Sequence, residues 1–205
     1  MITLYWSPRT RAVRMFWALE EVGQPYELER IDIRAENRND PPGFLAASPL
    51  RKLPALTDGD VKVADSAAIA LYLADRYAPG DLAPRLDDPA RGEFLCWLFY
   101  TPSVMEPAMI EKFADLPANP VAYPWGSFDR MLAALESRLE GREWIAADRF
   151  TMADFMVSGT IQFMEMFKIL DPSPVLKSYM NRCLARPAAI RAREKEAAAT
   201  AALEA

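Results

Sequence analysis

The sequence predicts an α/β domain over residues 1–78 and an all-helical domain over residues 89–205, joined by a linker at 79–88. The first part alternates short β-rich runs with stretches of helical periodicity, which is typical of an α/β sheet unit. The linker combines two prolines with a glycine, a composition that favours a domain boundary. After it, apolar residues recur only at helical spacing.

The first domain is predicted to run β-α-β, then an irregular helix, then β-β-α. Residues 2–6 form a β-rich run, and residues 12–22 carry apolar side chains at helical spacing. Residues 26–33 alternate as a second strand, whereas the polar stretch 34–47 predicts at best an irregular helix. A β-α-β unit requires a parallel strand pair with a right-handed crossover.

Residues 48–66 carry the densest local signals in the chain. Asp58-Gly59 is a hairpin dipeptide, which predicts two antiparallel strands within residues 53–64. Leu53-Pro54 precedes the first of these strands, and a proline is tolerated in a sheet at such a first position or in a cis turn. Asp65-Ser66 stands directly before a helical run, so the stretch ends in a backbone loop on one side and a helix N-terminus on the other, and these two ends are predicted to form half of a ligand site.

The second domain has one strong helix start. Thr151 as N-cap and Asp154 three residues later have the spacing of a capping box. Phe150 and Phe155 flank them as a hydrophobic staple. The apolar residues 155–170 are therefore predicted to form the central helix of this domain.

Prolines set the expected limits of the other helices. A helical pattern begins near Phe94, and Pro102 and Pro107 predict interruptions before it ends at Phe113. A last helix is expected from Pro187, with fraying in its alanine-rich end.

Composition excludes several classes of function. The net charge of −5 argues against nucleic acid as a partner. The absence of histidine removes Ser-His-Asp triads and histidine metal ligands, and Cys96 and Cys183 are too far apart for a C-x-x-C motif, so no metal is expected. No basic leader followed by an apolar core and no bilayer-length apolar run is present, which predicts a cytoplasmic protein without membrane contact.

Four motifs in order carry a family resemblance over nearly the whole chain: S-P-R-T-R at 7–11, S-P-L-R-K-L-P-A-L at 48–56, D-S at 65–66 and F-T-M-A-D at 150–154. The chain resembles a cytosolic glutathione transferase of bacterial type with a serine-like active site. The resemblance implies a thioredoxin-like βαβαββα domain, an all-α domain, a cis-proline at Pro54 and a homodimer. It also implies glutathione as co-substrate in the detoxifying conjugation of small hydrophobic electrophiles.

The resemblance implies a thiol-activating residue just after the first strand. Ser7 is the first candidate, since a hydroxyl that donates a hydrogen bond to the glutathione sulfur favours the reactive thiolate. Thr10 is the rival, because some family members place the active group a few residues later. As alternatives without catalysis, Ser7 would be a turn residue and Thr10 the N-cap of the first helix.

The resemblance also implies the residues that bind glutathione. Leu53 and Pro54 form the backbone hook that pairs with the cysteinyl part like an added strand. Asp65 suits the γ-glutamyl ammonium, Ser66 suits its carboxylate, and Lys52 suits the glycyl carboxylate, with Arg51, Arg34 and Arg38 as further cations near it. A strand-start proline, an N-cap pair and solvated basic residues are the corresponding structural interpretations.

An electrophile pocket is expected between the domains. Its candidates are the methionine and aromatic residues Trp6, Tyr100, Met105, Met109 and Phe113. A stripe of this kind at helical spacing is usually core, so the core interpretation stays open for each of them.

Two other functions remain open at the sequence level. A non-catalytic protein on the same fold would bind glutathione or hydrophobic ligands without deprotonating the thiol. A glutathione-dependent peroxidase would need no enzyme thiol. Disulfide exchange is disfavoured, because no cysteine stands near Thr10 or Arg11, where some bacterial classes carry one.

Overall fold

The computed structural model describes residues 1–203 of the chain. Its contacts group residues 1–78 with the segment from Pro187 onward as a first unit, and residues 79–186 as a second. The last helix therefore differs from the expectation, which placed it in the helical domain.

The first unit is built on a four-stranded mixed sheet of order β2-β1-β3-β4. The second strand runs parallel to the first, whereas the third and fourth are antiparallel, as the βαβ and hairpin patterns predict. The strands are β1 (Ile2–Trp6), β2 (Tyr26–Arg30), β3 (Ala55–Asp58) and β4 (Val61–Ala64). The second strand is shorter than the alternation over 26–33 predicted.

Three helices connect and flank these strands: α1 (Val13–Val22), α2 (Pro42–Ala47) and α3 (Ser66–Tyr77). Gly23 ends α1 at a φ of 66°, a left-handed conformation that glycine adopts without a steric penalty. The irregular stretch 34–47 resolves into a loop followed by the short helix α2. The fold of the unit is thus the βαβαββα arrangement of a thioredoxin-like domain.

The helix α2 sits against the sheet through a close approach of backbone to side chain. A Cβ atom at Gly43 would overlap the hydroxyl of Tyr5, whose ring also meets Phe44 at a centroid distance of 5.6 Å. Tyr5, Phe44 and Ala55 belong to one buried cluster, so the ring has little room to move. Glycine is required here by space and not by φ.

Replacing Gly43 by alanine is expected to lower the free energy of unfolding by about 1–3 kcal/mol, the usual cost of overpacking a core. Urea denaturation measures this loss. The double variant Gly43→Ala with Tyr5→Phe removes the overlapping hydroxyl, and a double variant no more stable than Gly43→Ala alone would refute the steric explanation.

The C-terminal helix α9 (Pro187–Ala201) packs on α1 of the first unit. Glu20 is the anchor: its carboxylate meets Arg191 at 3.1 Å and Lys195 at 2.5 Å and accepts a hydrogen bond from Tyr26. Burial opposes the charged form of Glu20, but the bonds from Lys195, Arg191 and Tyr26 hold its pKa below the ordinary value. The alanine-rich end 193–205 was expected to fray, but it is helical to Ala201, and residues 204–205 lie outside the described part of the chain.

The second unit is helical throughout its regular structure. It contains α4 (Arg91–Tyr100), a π-helical turn (Thr101–Met105), α5 (Glu106–Phe113), α6 (Phe128–Leu139), α7 (Met152–Met166) and α8 (Pro174–Leu184). The predicted interruption near Pro102 is present as the π-helical turn that separates α4 from α5, whereas Pro107 lies in the first turn of α5 and does not break it. A proline has no amide hydrogen to donate and clashes with the preceding turn of a regular α-helix. The wider π turn accommodates Pro102 at this position.

The start of α7 carries the predicted capping box, with both reciprocal bonds present. The Asp154 carboxylate is fully buried and accepts from the Thr151 amide at 2.9 Å, from the Ile145 amide at 2.8 Å and from the Tyr179 hydroxyl at 3.0 Å. Burial raises the pKa of Asp154 to about 6 although these donated bonds favour the carboxylate.

Among residues 1–203, no helix combines the length and the apolar character that a membrane span requires.

Candidate functional site

The candidate residues of the first unit other than Trp6, Thr10 and Lys52 lie at one edge of its sheet. The pair Tyr5–Ala55 joins the end of β1 to the start of β3, and the pair Ala55–Ala64 joins that start to the end of β4. Residues one or two positions beyond these pairs therefore share the same edge. They are Ser7 after β1, Leu53 and Pro54 before β3, and Asp65 and Ser66 after β4.

The hydroxyls of Ser7 and Thr10 have different surroundings. Thr10 Oγ1 donates to the Ser7 carbonyl at 2.7 Å and accepts from the Ala12 amide at 3.2 Å, so its proton is used within the loop that leads into α1. The Ser7 side chain is mostly buried, and within residues 1–203 its hydroxyl has no hydrogen bond. Its proton is available to an outside acceptor.

The N-terminus of α3 holds an unsatisfied polar group. Ser66 is 4% exposed, and its hydroxyl oxygen is buried without a hydrogen-bond partner in the described chain. Asp65 precedes it with a φ of 75° and caps the helix by accepting from the Ala67 amide at 3.0 Å. A buried hydroxyl without a partner costs about 1–3 kcal/mol, and the first turn of a helix favours an anion.

The loop before β3 presents open backbone groups. The Leu53–Pro54 peptide is cis, as the resemblance implies. Within the described residues neither the amide nor the carbonyl of Leu53 has a backbone partner, because pairing with β1 begins at Ala55. Ser48 fixes the backbone of Lys52, the residue before Leu53. The Ser48 hydroxyl donates to the Lys52 carbonyl at 2.8 Å and accepts from the Lys52 amide at 2.9 Å.

A groove of about 610 Å³ adjoins this loop, lined by Glu36, Asn37, Arg38, Asn39, Leu50, Arg51 and Lys52. Arg38 and Arg51, two of the cations considered beside Lys52, are both ion-paired with Asp40, at 2.9 and 2.7 Å. Arg34 does not line the groove. Asp40 and Ser48 were not among the predicted site residues, because in the sequence each is only a polar residue directly before a proline.

The five hydrophobic candidates are divided between the units. Trp6 belongs to the first unit, where it is buried edge-on against Phe16. The other four lie on the 91–113 helical run of the second unit: Tyr100, Met105, Met109 and Phe113.

Their exposure differs widely. Met105 is fully buried and Met109 nearly so, which favours the core interpretation for both, whereas Phe113 is 82% exposed. The Tyr100 hydroxyl donates to the Met131 carbonyl at 3.3 Å, and burial raises its pKa.

The first unit therefore defines a class: a thioredoxin-type domain with open backbone and hydroxyl groups at one edge of its sheet. Family models agree. "Glutathione S-transferase, N-terminal domain" matches residues 1–75, and "Glutathione S-transferase, C-terminal domain" matches residues 126–187.

Relatives and solved structures that match nearly the whole chain include glutathione transferases and one oxidoreductase. Glutathione S-transferase 3 of Schizosaccharomyces pombe is 29% identical, over 95% of this chain and 88% of the relative. A disulfide-bond oxidoreductase of Escherichia coli is 26% identical over 92% of each chain. A crystal structure of a glutathione transferase family member from Pseudomonas fluorescens, with two glutathione bound, is 31% identical with a TM-score of 0.73 and covers 93% of this chain and 91% of that chain.

The chain belongs to the cytosolic glutathione transferase family. It is accordingly a glutathione transferase, an enzyme that takes glutathione as its co-substrate.

Proposed function

We propose that this enzyme joins the thiol of glutathione to small hydrophobic electrophiles, with Ser7 activating the sulfur. The observation that carries the proposal is the buried, unpartnered hydroxyl of Ser66 at the N-terminus of α3. Buried hydroxyls are normally hydrogen-bonded, and a ligand carboxylate at this helix N-terminus would supply the missing partner, while the neighbouring groups suit the other parts of one tripeptide.

Glutathione binding uses four contacts along the sheet edge. The Ser66 hydroxyl and the α3 N-terminus receive the γ-glutamyl carboxylate, and Asp65 receives its ammonium. The open amide and carbonyl of Leu53 pair with the cysteinyl residue as an added strand would, beside Pro54. The ammonium of Lys52 receives the glycyl carboxylate.

Ser7 is the residue that activates the glutathione thiol in this proposal. A cysteine thiol has an ordinary pKa of about 8.5, so little thiolate is present at neutral pH. A hydrogen bond donated by the Ser7 hydroxyl stabilises the thiolate, which attacks the electrophilic carbon. In a substitution the leaving group departs with its electron pair, and in an addition the new carbanion takes a proton.

The electrophile side rests on the hydrophobic candidates. Tyr100 and Phe113 of the second unit are partly or largely exposed and supply apolar contacts of the kind a small hydrophobic acceptor requires, whereas the buried Met105, Met109 and Trp6 are left to the cores of their own units. We also infer a homodimer, on family grounds. A cytoplasmic location fits the state of both cysteines, which are free thiols.

The oxidoreductase relative makes disulfide exchange the closest rival. That reaction needs a thiolate on the enzyme, and residues 7–14 contain no cysteine. Cys183 is a poor substitute, because burial raises the pKa of its thiol to about 12.

Purified protein is expected to bind a glutathione matrix and to conjugate a chlorodinitrobenzene-type acceptor. Thiolate absorbance of bound glutathione at neutral pH separates the transferase from a protein that only binds. Binding without this absorbance or turnover would leave a non-catalytic binding protein, and failure to bind would end the proposal.

Replacing Ser66 by alanine is expected to raise the Kd for glutathione about 10–100-fold, the loss of one hydrogen bond to a charged group. Isothermal titration calorimetry measures it. Because the Ser66 hydroxyl has no hydrogen-bond partner in the described chain, the Ser66→Ala variant without glutathione should be at least as stable as the ligand-free wild type. Ser178→Ala, at an exposed position on α8, is the matched control. A variant that loses stability but keeps its affinity would show that the hydroxyl is structural.

A further inference from the structure

Asp40 lies at the centre of an ionic clamp beside the groove. Its side chain is 4% exposed and takes Arg38 in a two-pronged contact, Nε to Oδ1 at 3.0 Å and Nη2 to Oδ2 at 2.9 Å. Arg51 binds the same carboxylate, with Nε and Nη2 each 2.7 Å from Oδ2. Burial opposes the charged form, but the hydrogen bonds from Arg51 and Arg38 hold the pKa of Asp40 below its ordinary value.

The two arginines also cross-link the two segments that wall the groove. Arg38 Nη1 donates to the Arg51 carbonyl and Arg51 Nη2 donates to the Arg38 carbonyl, each at 3.5 Å. The Arg38 guanidinium lies 5.8 Å from the ring centre of Phe44, which is fully buried. Segment 36–40 and segment 50–52 are thus fixed to each other and to the core of the first unit.

The clamp bears directly on Lys52. Arg51 is held at a φ of 54°, an uncommon conformation for a residue with a side chain, and this conformation sets the direction in which the chain enters Lys52. Ser48 then fixes the backbone of Lys52 on both sides. Loss of Asp40 would release Arg51 and with it the entry to Lys52 and Leu53.

The clamp also decides which cation is available to a ligand. Asp40 occupies both arginines, and within the described residues Lys52 makes no ion pair. The groove therefore offers one unpaired ammonium and suits a ligand with a single carboxylate at that end.

We propose that Asp40 is a positioning residue, which orients Lys52 so that the enzyme selects glutathione with a free glycyl carboxylate over thiols in which that group is esterified. The inference rests on the proposed binding of glutathione at this edge. Asp40 does not touch the ligand in this account and acts through Arg51 and the loop 50–53.

The test compares glutathione with its glycyl monoethyl ester, by KM with a saturating chlorodinitrobenzene acceptor and by Kd from calorimetry. The wild type should prefer glutathione about 10-fold or more, the value of one charge-assisted contact. Asp40→Asn and Lys52→Gln should each bring this preference to within about twofold of unity, with the loss appearing as a raised KM and Kd for glutathione. Asp60→Asn, at the exposed hairpin tip, should keep the preference.

Arg51→Gln removes the other partner of the Arg51–Asp40 ion pair and should also abolish the preference for glutathione over its ester. It replaces Asp40→Asn in the test if that variant folds poorly. Equal weakening of both thiols, with the preference intact, would assign Asp40 a general structural role and overturn the proposal. Tighter glutathione binding in Asp40→Asn would show that Asp40 only neutralises two arginines that could bind anions, and would overturn it too. Calorimetry separates the two claims, since ester discrimination is measured there without turnover, whereas a wild type that binds neither thiol removes the proposed function itself.

Discussion

Replacing Ser7 by alanine is expected to lower the conjugation rate at neutral pH about 10–100-fold, because a hydrogen bond to a charged group contributes roughly 1.5–3 kcal/mol. The loss should appear in kcat and kcat/KM, with the KM for glutathione little changed. The Ser7 hydroxyl has no partner in the described chain, so its removal leaves no other group unsatisfied. Steady-state kinetics with a chlorodinitrobenzene-type acceptor measure the effect.

The pH profile distinguishes thiol activation from general damage. The pKa of the bound glutathione thiol should rise by about 1–2 units in Ser7→Ala, the same free energy expressed as a titration. Activity should therefore recover towards wild type above that pKa. Thr10→Ala is the control, because its hydroxyl is committed to the Ser7 carbonyl and the Ala12 amide. A shifted thiol pKa in Thr10→Ala with an unshifted one in Ser7→Ala would move the catalytic assignment to Thr10.

Replacing Asp154 by alanine is expected to be the most destabilising single change in the second unit, at about 3–5 kcal/mol. The variant leaves the amides of Thr151 and Ile145 and the hydroxyl of Tyr179 without their acceptor in a fully buried site. Removing the N-cap side chain alone, with Thr151→Ala, should cost about 0.5–2 kcal/mol. Urea denaturation that gave the two variants equal losses would refute the central role of the carboxylate.

The contribution of Asp154 should also depend on pH. Burial raises its pKa in the folded protein to about 6, above the unfolded value, so the folded state holds the proton more tightly. Its titration stabilises the fold fully below the unfolded pKa, and that stabilisation is lost as pH rises through about 6. The difference in unfolding free energy between wild type and Asp154→Ala should therefore shrink as the pH rises from the unfolded pKa of an aspartate to above about 6. A difference that grows with pH would show that the carboxylate is preferred in the folded state.

Local patterns predicted most of the fold, because periodicity, prolines and turn dipeptides act over a few residues. The strand alternation of β1, the hairpin at Asp58-Gly59 and the capping box at Thr151 are all of this kind. The sequence predicted an interruption near Pro102 but not that it would be a π-helical turn, since a widened turn leaves no mark in the apolar spacing. The attachment of α9 was missed because Arg191 meets Glu20 across 171 residues of sequence.

The sequence predicted which residues lie together at this edge of the sheet, but it could not predict the geometry of their hydroxyl groups. Sequence placed Ser7, Pro54 and Ser66 in one candidate site through motifs that keep their local order. It left Ser7 and Thr10 as rivals, because the proton of each hydroxyl depends on a specific acceptor. It also missed Asp40, whose importance comes from two arginines brought together by folding.

A crystal structure of the protein with glutathione bound tests the central claim most directly. The sulfur is expected about 2.7–3.5 Å from Ser7 Oγ, a hydrogen-bond distance. The γ-glutamyl carboxylate should lie on the Ser66 hydroxyl and the cysteinyl backbone against Leu53. Glutathione bound elsewhere, or with its sulfur facing Thr10 and away from Ser7, would contradict the account.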